Sequence, residues 1–225
     1  QLKKIVILAT GTNNVDLIAA KKHGISVSNI VDYSTASVVQ QVFAMLLALK
    51  SSLLPYHQAV QQGDWNRSAF FGLLDYPIEE ISGTSLGIIG YGKIGRAVAD
   101  VARAFGMNVL VCQSLSGDEK PDRVSLNELL QRSDVVSLHC PLTTESNNLI
   151  SAKEISLMKP QAVLLNLARG GVVNEQALMD ALKHKRLAGA AVDVLSKEPP
   201  DKTQILLSET LDNLIVSPHV GWASR

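Results

Sequence analysis

A chain of 225 residues with 46% hydrophobic content is long enough for one large α/β domain, or for one domain and part of another. Its 21 basic and 21 acidic residues cancel, so no net field draws it toward nucleic acid or an anionic membrane. No apolar run reaches the roughly 18 residues of a membrane span, and no signal peptide is visible ahead of a pattern already under way at Gln1.

In chain order, Lys4–Ala9 reads as a strand, Asn14–Lys22 as a helix and Ile25–Asn29 as a second strand. Three such elements cannot bury a core alone. Residues 1–31 are therefore expected to be the last part of a second domain whose beginning lies outside the chain. A long apolar helix follows from Ser37, with Gln40 as its capping partner, to about Leu53. The apolar length of Val38–Leu54 predicts packing on a second subunit, hence a homodimer. Trp65 and Tyr76-Pro77 lie in a connecting stretch.

The segment Ser85–Val98 carries the strongest signal. An apolar run ends in Gly90-Tyr91-Gly92-Lys93-Ile94-Gly95, a G-x-G-x-x-G turn, and passes directly into a helical pattern. Gly90 permits the tight turn, Gly92 lets backbone approach a pyrophosphate, and Gly95 lets helix and strand pack closely. The free N–H groups at the helix start then face the anion. Ile94, Val98, Val101, Ala102 and Phe105 share one helical face, and Gly106 stands where a helix-ending glycine belongs. These features predict a nucleotide cofactor.

Beyond the turn, short β-rich runs alternate with helical patterns. The expected strands are Leu86–Ile89, Asn108–Cys112, Val135–Cys140, Ala162–Leu167, Gly189–Val194 and Asn213–Ser217. Capping boxes at Ser125–Glu128 and Ser151–Glu154, and a cap at Asn174, start three of the intervening helices. The alternation predicts an α/β fold with a doubly wound, Rossmann-like parallel sheet over residues 32–217, residues 218–225 returning toward the second domain. Cys112 and Cys140 lack metal-ligand spacing and read as buried free thiols of a reducing, cytoplasmic setting; no metal is expected.

In open α/β sheets the ligand lies beyond the carboxyl ends of the strands. The residues there are Gln113-Ser114, His139–Thr143, Asn166–Gly170, Asp193, Glu198-Pro199-Pro200 and Pro218–Trp222. Arg169 ends an apolar strand ahead of two glycines, where a fixed fork of donors grips a carboxylate. His219 shares the rim with Glu198, a carboxylate able to hold and charge an imidazole for general acid work. Their spacing does not say whether the two meet. His139 reads as structural or as an edge of the cofactor site; His23, His57 and His184 read as helix-surface residues. Asp134 precedes its strand, at the wrong end of the sheet.

These residues resemble the NAD-dependent D-2-hydroxyacid dehydrogenases over nearly the whole chain. The matching segments are Gly11-Thr-Asn-Asn-Val-Asp16, Gly24-Ile-Ser-Val27, Ser37-Val38, Gly87–Gly95, His139–Thr143, Asn166–Gly170, Gly189–Asp193, Glu198-Pro199 and Pro218-His219. The resemblance implies that Arg169 binds the substrate carboxylate and carbonyl, Glu198 supports the imidazole, and His219 donates and accepts the proton. It implies a flavodoxin-like substrate domain for residues 1–31, with a substrate loop at Thr10-Gly11-Thr12. It implies cofactor contacts from Lys93 and Ile94 at the pyrophosphate, Pro141 and Thr143 along the lining, Leu167, Ala168, Arg169 and Gly221 at the nicotinamide, and Asp193 at its amide.

Within the family, Gly11-Thr-Asn-Asn-Val15, Tyr33–Ser37 and His219-x-x-Trp222 look most like the glycerate dehydrogenase (hydroxypyruvate reductase) branch. The expected partner is a small 2-oxo or 2-hydroxy acid. Gln113 replaces the usual acidic ribose-binding residue, leaving NAD and NADP both open. Residues 113–119 carry no Arg or Lys, and Asp118 and Glu119 would oppose a 2′-phosphate, so NADH is expected to be preferred modestly over NADPH. The nucleotide-sensing corepressors resemble the same motifs and form an alternative of another class. The sibling formate dehydrogenases pair the His with Gln, against which Glu198 argues.

Overall fold

The computed structural model describes residues 2–12, 14–30, 32–115, 117 and 120–224. Its first elements are strand β1 (Lys4–Ile7), helix α1 (Leu17–Lys22) and strand β2 (Ser26–Asn29). β1 and β2 pair in parallel as a separate two-stranded sheet. α1 begins later than Asn14 because Asp16 caps it, its carboxylate accepting from the Ala19 N–H at 2.8 Å.

Helices α2 (Thr35–Lys50) and α3 (Leu53–Gln61) lead to the main sheet. That sheet contains β3 (Ser85–Ile89), β4 (Asn108–Val111), β5 (Val135–Leu138), β6 (Val163–Asn166), β7 (Gly189–Val192) and β8 (Leu214–Val216). All six are parallel, in the order β4-β3-β5-β6-β7-β8. The connections are α4 (Lys93–Ala104), α5 (Leu126–Arg132), α6 (Ala152–Leu157) and α7 (Glu175–Lys183), with α2 added to one face.

β5, β6 and β7 are buried at every position, which explains their unbroken apolar reading. Val136, Leu138, Leu164, Ala190 and Val192 meet Leu129, Ile155, Leu178 and Met179 of α5, α6 and α7. Val135, Val163, Leu165 and Ala191 point the other way, onto Val42 and Leu46 of α2 and Val98 and Ala102 of α4. The period of two along each strand thus builds one core on each face. The face expected for α4 is confirmed with one difference: Phe105 is 41% exposed, its ring stacked on Phe43 at 5.4 Å.

α2 departs from expectation. It starts at Thr35, so Ser37 and Gln40 lie inside it rather than capping it; the Ser37 hydroxyl donates to the Gly221 carbonyl at 2.6 Å. The helix stops at Lys50 because Ser51 turns its hydroxyl onto the Leu47 carbonyl at 2.6 Å and Ser52 takes a left-handed conformation (φ 49°). α3 then leaves at 61°, and among the described residues no single helix is long and apolar enough to cross a membrane. Val38, Val39, Val42, Phe43, Met45 and Leu46 are all buried in the chain's own core. The greater part of the apolar span read as a subunit contact is therefore consumed internally, while Leu47, Leu53 and Leu54 of the same span stay exposed.

The caps behave as their sequences predict. Ser151 and Glu154 form a reciprocal box, Ser125 accepts from Glu128 N–H, and Asn174 accepts from Ala177 N–H at 2.9 Å. Glu128 is the exception within its box, since its carboxylate turns to Arg132.

Charges at the amino end of the sheet hold structure. Asp134 accepts from the Ser85 N–H at 2.8 Å and pairs with Lys159 at 2.7 Å. Burial alone would raise its carboxyl. The Lys159 bond, the Ser85 N–H and the charges of Lys159 and Lys50 outweigh burial and hold it below the usual carboxylate range. The contribution to stability is then complete above the unfolded-state value and is lost as pH falls through the lower folded-state value. Asp134→Ala should cost about 1–3 kcal/mol at neutral pH by stranding two partners. In urea melts the gap to the parent should close as pH falls below about 4; a gap independent of pH would show that the charge contributes nothing.

Candidate active site

β3 ends at Ile89 as expected, while the other five strands of the main sheet end earlier, and the surplus residues lie around the site. Cys112, His139, Cys140, Leu167, Asp193, Val194 and Ser217 lie past the regular ladder. Several remain pinned by single bonds: Cys112 N–H to Ile88 O at 2.9 Å, His139 N–H to Ile89 O at 2.7 Å, Asp193 N–H to Asn166 O at 3.0 Å and Ser217 N–H to Val192 O at 2.9 Å. Cys112 and Cys140 border a cavity at the ends of β4 and β5.

The β3–α4 turn meets the expected geometry. Gly90 has φ 95°, and a Cβ there would stand 2.5 Å from the Cys140 nitrogen. A Cβ on Gly95 would lie 2.2 Å from the Gly90 carbonyl oxygen, so helix and turn touch backbone to backbone. At Gly92, the N-cap of α4, a Cβ would meet nothing within 4 Å. The unpaired first N–H groups of the helix open onto that space. Ile94 packs against the core beneath. The Lys93 ammonium pairs with Asp32, tying α4 to the segment before α2. Beside the turn lies a cavity of about 630 Å³, with Gln113, Pro141 and Thr143 in its wall.

Asn166 shapes the next loop. Its Oδ1 accepts from the Ala168 N–H at 3.2 Å and its Nδ2 donates to the Arg169 carbonyl at 3.1 Å. Leu167 and Ala168 are buried, while Arg169 is half-buried with Nη1 donating to the Ala168 carbonyl at 2.6 Å. A Cβ on Gly170 would stand 1.8 Å from the Leu195 carbonyl oxygen. The Arg169 loop therefore lies directly on the turn that carries Glu198.

Glu198 is aimed by its own backbone: Oε1 accepts from the Leu195 N–H at 2.8 Å. Its Oε2 is 2.6 Å from His219 Nδ1, so the pair that spacing left open does meet. His219 itself sits at φ 54°, in a turn held by Asp193. Asp193 is 2% exposed; one carboxylate oxygen accepts from the Ser217 hydroxyl and the Val220 N–H at 3.0 Å, the other from the Gly221 N–H at 2.8 Å. Sequence reasoning placed Asp193 on the cofactor alone and missed this anchoring. The legible signal was an acid at a strand end facing a Pro-His-x-Gly turn.

The remaining candidates fall elsewhere. Burial drives the His139 imidazole down to about 4, leaving it neutral near pH 7, with Ser137 Oγ 2.9 Å from Nε2. It cannot serve as the charged acid there. Cys112 is pushed up to about 11 by burial and by the neighbouring Cys140, which suits an inert buried thiol. Thr10, Gly11 and Thr12 follow the end of β1 on the smaller sheet, and no hydrogen bond among the described residues joins them to Arg169 or His219. Asp118, Glu119, Asn13 and Val31 lie outside the described residues. Among the described residues no group of three or more His, Cys, Asp or Glu is arranged to hold a metal.

Comparison with known proteins decides the family. The model of the D-isomer specific 2-hydroxyacid dehydrogenase NAD binding domain matches residues 43–221. The chain belongs to the D-isomer specific 2-hydroxyacid dehydrogenases. It is 46% identical over 224 residues to a glycerate dehydrogenase of Methylorubrum extorquens, covering 100% of this chain and 70% of that protein. It is 40% identical to a hydroxypyruvate reductase of Blautia hydrogenotrophica, again over 100% of this chain and 70% of the relative. A D-lactate dehydrogenase from Aquifex aeolicus, solved with NAD and lactic acid, superposes with a TM-score of 0.87 at 34% identity, covering 99% of this chain and 71% of that one. This dehydrogenase is thus an NAD-dependent oxidoreductase acting on 2-hydroxy and 2-oxo acids. The open space over Gly92, the α4 N-terminus and the adjoining cavity fit its dinucleotide.

Proposed function

We propose that this dehydrogenase interconverts D-glycerate and hydroxypyruvate, with Arg169, Glu198 and His219 as its catalytic residues. The observation that carries the reading is the 2.6 Å contact of Glu198 with His219 Nδ1, on a turn packed against the Arg169 loop. The names of the two relatives at 46% and 40% identity support the substrate. The bound nicotinamide supplies or takes the hydride. Arg169 grips the substrate carboxylate with the part of its fork not bonded to Ala168. Nδ1–H donates to Glu198, which leaves Nε2 to give its proton to the forming alkoxide during reduction and to take it back during oxidation. Asp193 and Gly221 border the nicotinamide while holding the His219 turn.

A panel of hydroxypyruvate, glyoxylate and pyruvate assayed with NADH and NADPH tests this reading. Hydroxypyruvate should give the highest kcat/KM. Tight NADH binding with no turnover of any 2-oxo acid would instead favour the nucleotide-sensing corepressor reading.

The same proposal includes a homodimer in the cytoplasm, a compartment in which buried thiols stay reduced. Its contact surface runs along α3 and the following segment, where Leu53, Leu54, Phe70, Phe71 (84% exposed), Leu74 (74%) and Ile78 face outward. Light scattering on the full chain should report twice the chain mass; a single-chain mass refutes it.

A further inference from the structure

The turn that carries Glu198 is held by side chains rather than by its own backbone. Among the described residues, no backbone–backbone hydrogen bond begins or ends on residues 194–200. Two carboxylates take the place of such bonds. Glu198 Oε1 accepts from the Leu195 N–H at 2.8 Å, and Glu175 Oε1 accepts from the Ser196 N–H at 2.7 Å. Glu175 Oε2 accepts from the Ser196 hydroxyl at 2.8 Å and from Gln204 Nε2 at 3.1 Å. Gln204 is buried, and its Oε1 accepts from the Leu206 N–H at 3.2 Å. The clamp thus ties residues 195–198 to the short helical turn Ile205–Leu207. Hydrogen bonds to a carboxylate are roughly twice as strong as neutral ones.

Glu175 has a rigid base from which to do this. It is the first residue of α7, which Asn174 caps by accepting from the Ala177 N–H at 2.9 Å. Val173 forms a parallel bridge to Ile150, and Leu178, Met179 and Leu182 of α7 are buried. A first-turn acid suits the helix dipole, but that does not account for three bonds directed outside the helix. All three donors are neutral, so the carboxylate acts as an acceptor and not as half of an ion pair. The other charges on the turn, Lys197 and Asp201, pair with each other at 2.7 Å. Arg169 lies on the loop beneath, and Asp193 is committed to the 217–221 turn on the far side.

We propose that Glu175 is a positioning residue for proton transfer, holding the 195–198 turn so that Glu198 Oε2 meets His219 Nδ1. The proposal rests on the reading of Glu198 and His219 as the proton-transfer pair. The aim of Glu198 follows the turn, because its own brace is the Leu195 N–H within that turn. Without Glu175 the Ser196 N–H and the Gln204 amide lose their acceptor, and the turn relaxes toward water. A displacement of about 1 Å at a reacting group costs on the order of a hundredfold in rate.

Steady-state reduction of hydroxypyruvate by NADH, with the full chain, tests this. Glu175→Ala and Glu175→Asp should lower kcat by about 10–100-fold. The Asp variant keeps the charge at the start of α7 but is one methylene too short to reach both Ser196 donors. Glu175→Gln keeps an acceptor oxygen for the Ser196 N–H and should recover most of the loss. Reduction needs protonated His219, so kcat falls as pH rises through the imidazole pKa. With Glu198 displaced the imidazolium loses its opposite charge, and the fall should move to lower pH in the Ala and Asp variants but not in the Gln variant. In a Glu198→Ala background, Glu175→Asp should add little further loss. Thermal melts verify that each variant folds. A folded Asp variant with the parent's kcat and pH profile, a Gln variant as slow as the Asp variant, or additive losses with Glu198→Ala overturns the proposal. A parent whose kcat survives His219→Ala overturns the underlying reading of the pair.

Discussion

Alanine at position 219 lowers kcat for 2-oxo acid reduction by about 10²–10⁴-fold, the usual share of general acid catalysis. NADH affinity changes little, because Nδ1 is turned to Glu198 and the free edge of the ring is the one left for substrate. His139 cannot replace the lost acid, since its burial leaves it neutral near pH 7. The contact with Glu198 adds a sharper expectation. The two side chains act as a unit, so the His219→Ala, Glu198→Ala double variant should be barely slower than His219→Ala alone. Steady-state kinetics with hydroxypyruvate measure both effects. Unchanged kcat in His219→Ala removes the residue from the mechanism, and additive losses in the double variant uncouple it from Glu198.

Arg169→Lys keeps the charge yet should lower kcat/KM by about a hundredfold, roughly 2.7 kcal/mol of transition-state stabilisation. The guanidinium has two tasks in this proposal: Nη1 braces the loop on the Ala168 carbonyl at 2.6 Å, and the rest of the fork is assigned to the substrate carboxylate. An ammonium is a point charge and cannot do both. The loss should appear in KM as well as kcat, because the carboxylate grip acts before and during the reaction. A Lys variant within about threefold of the parent, under ~1 kcal/mol, would make Arg169 a mere surface cation.

Much of this was legible in local pattern. The Gly90–Gly95 turn, the apolar face of α4, the caps at Ser151 and Asn174 and the buried parallel strands each depend on residues a few positions apart. Backbone sterics and hydrogen bonding act at that range, so the order of residues is nearly sufficient. The strand ends were less legible, because a strand's last ladder bond depends on where its neighbour turns away. The partners of α2 were illegible for a similar reason: nothing in its apolar run says that β6, β7 and β8 pack against its buried face in the fold.

By itself, then, the sequence determined that this protein is a parallel α/β dehydrogenase with a dinucleotide turn, and that Arg169, Glu198 and His219 stand at strand ends. The tertiary structure alone decided which of these groups touch. Glu198 and His219 are 21 positions apart and meet at 2.6 Å because Asp193 folds the 217–221 turn back over the end of β7. Glu175 reaches the Ser196 N–H at 2.7 Å because the Val173–Ile150 bridge and the Asn174 cap fix the start of α7 beside that turn. Contacts of this kind join residues distant in the chain, and their geometry exists only once the sheet is assembled.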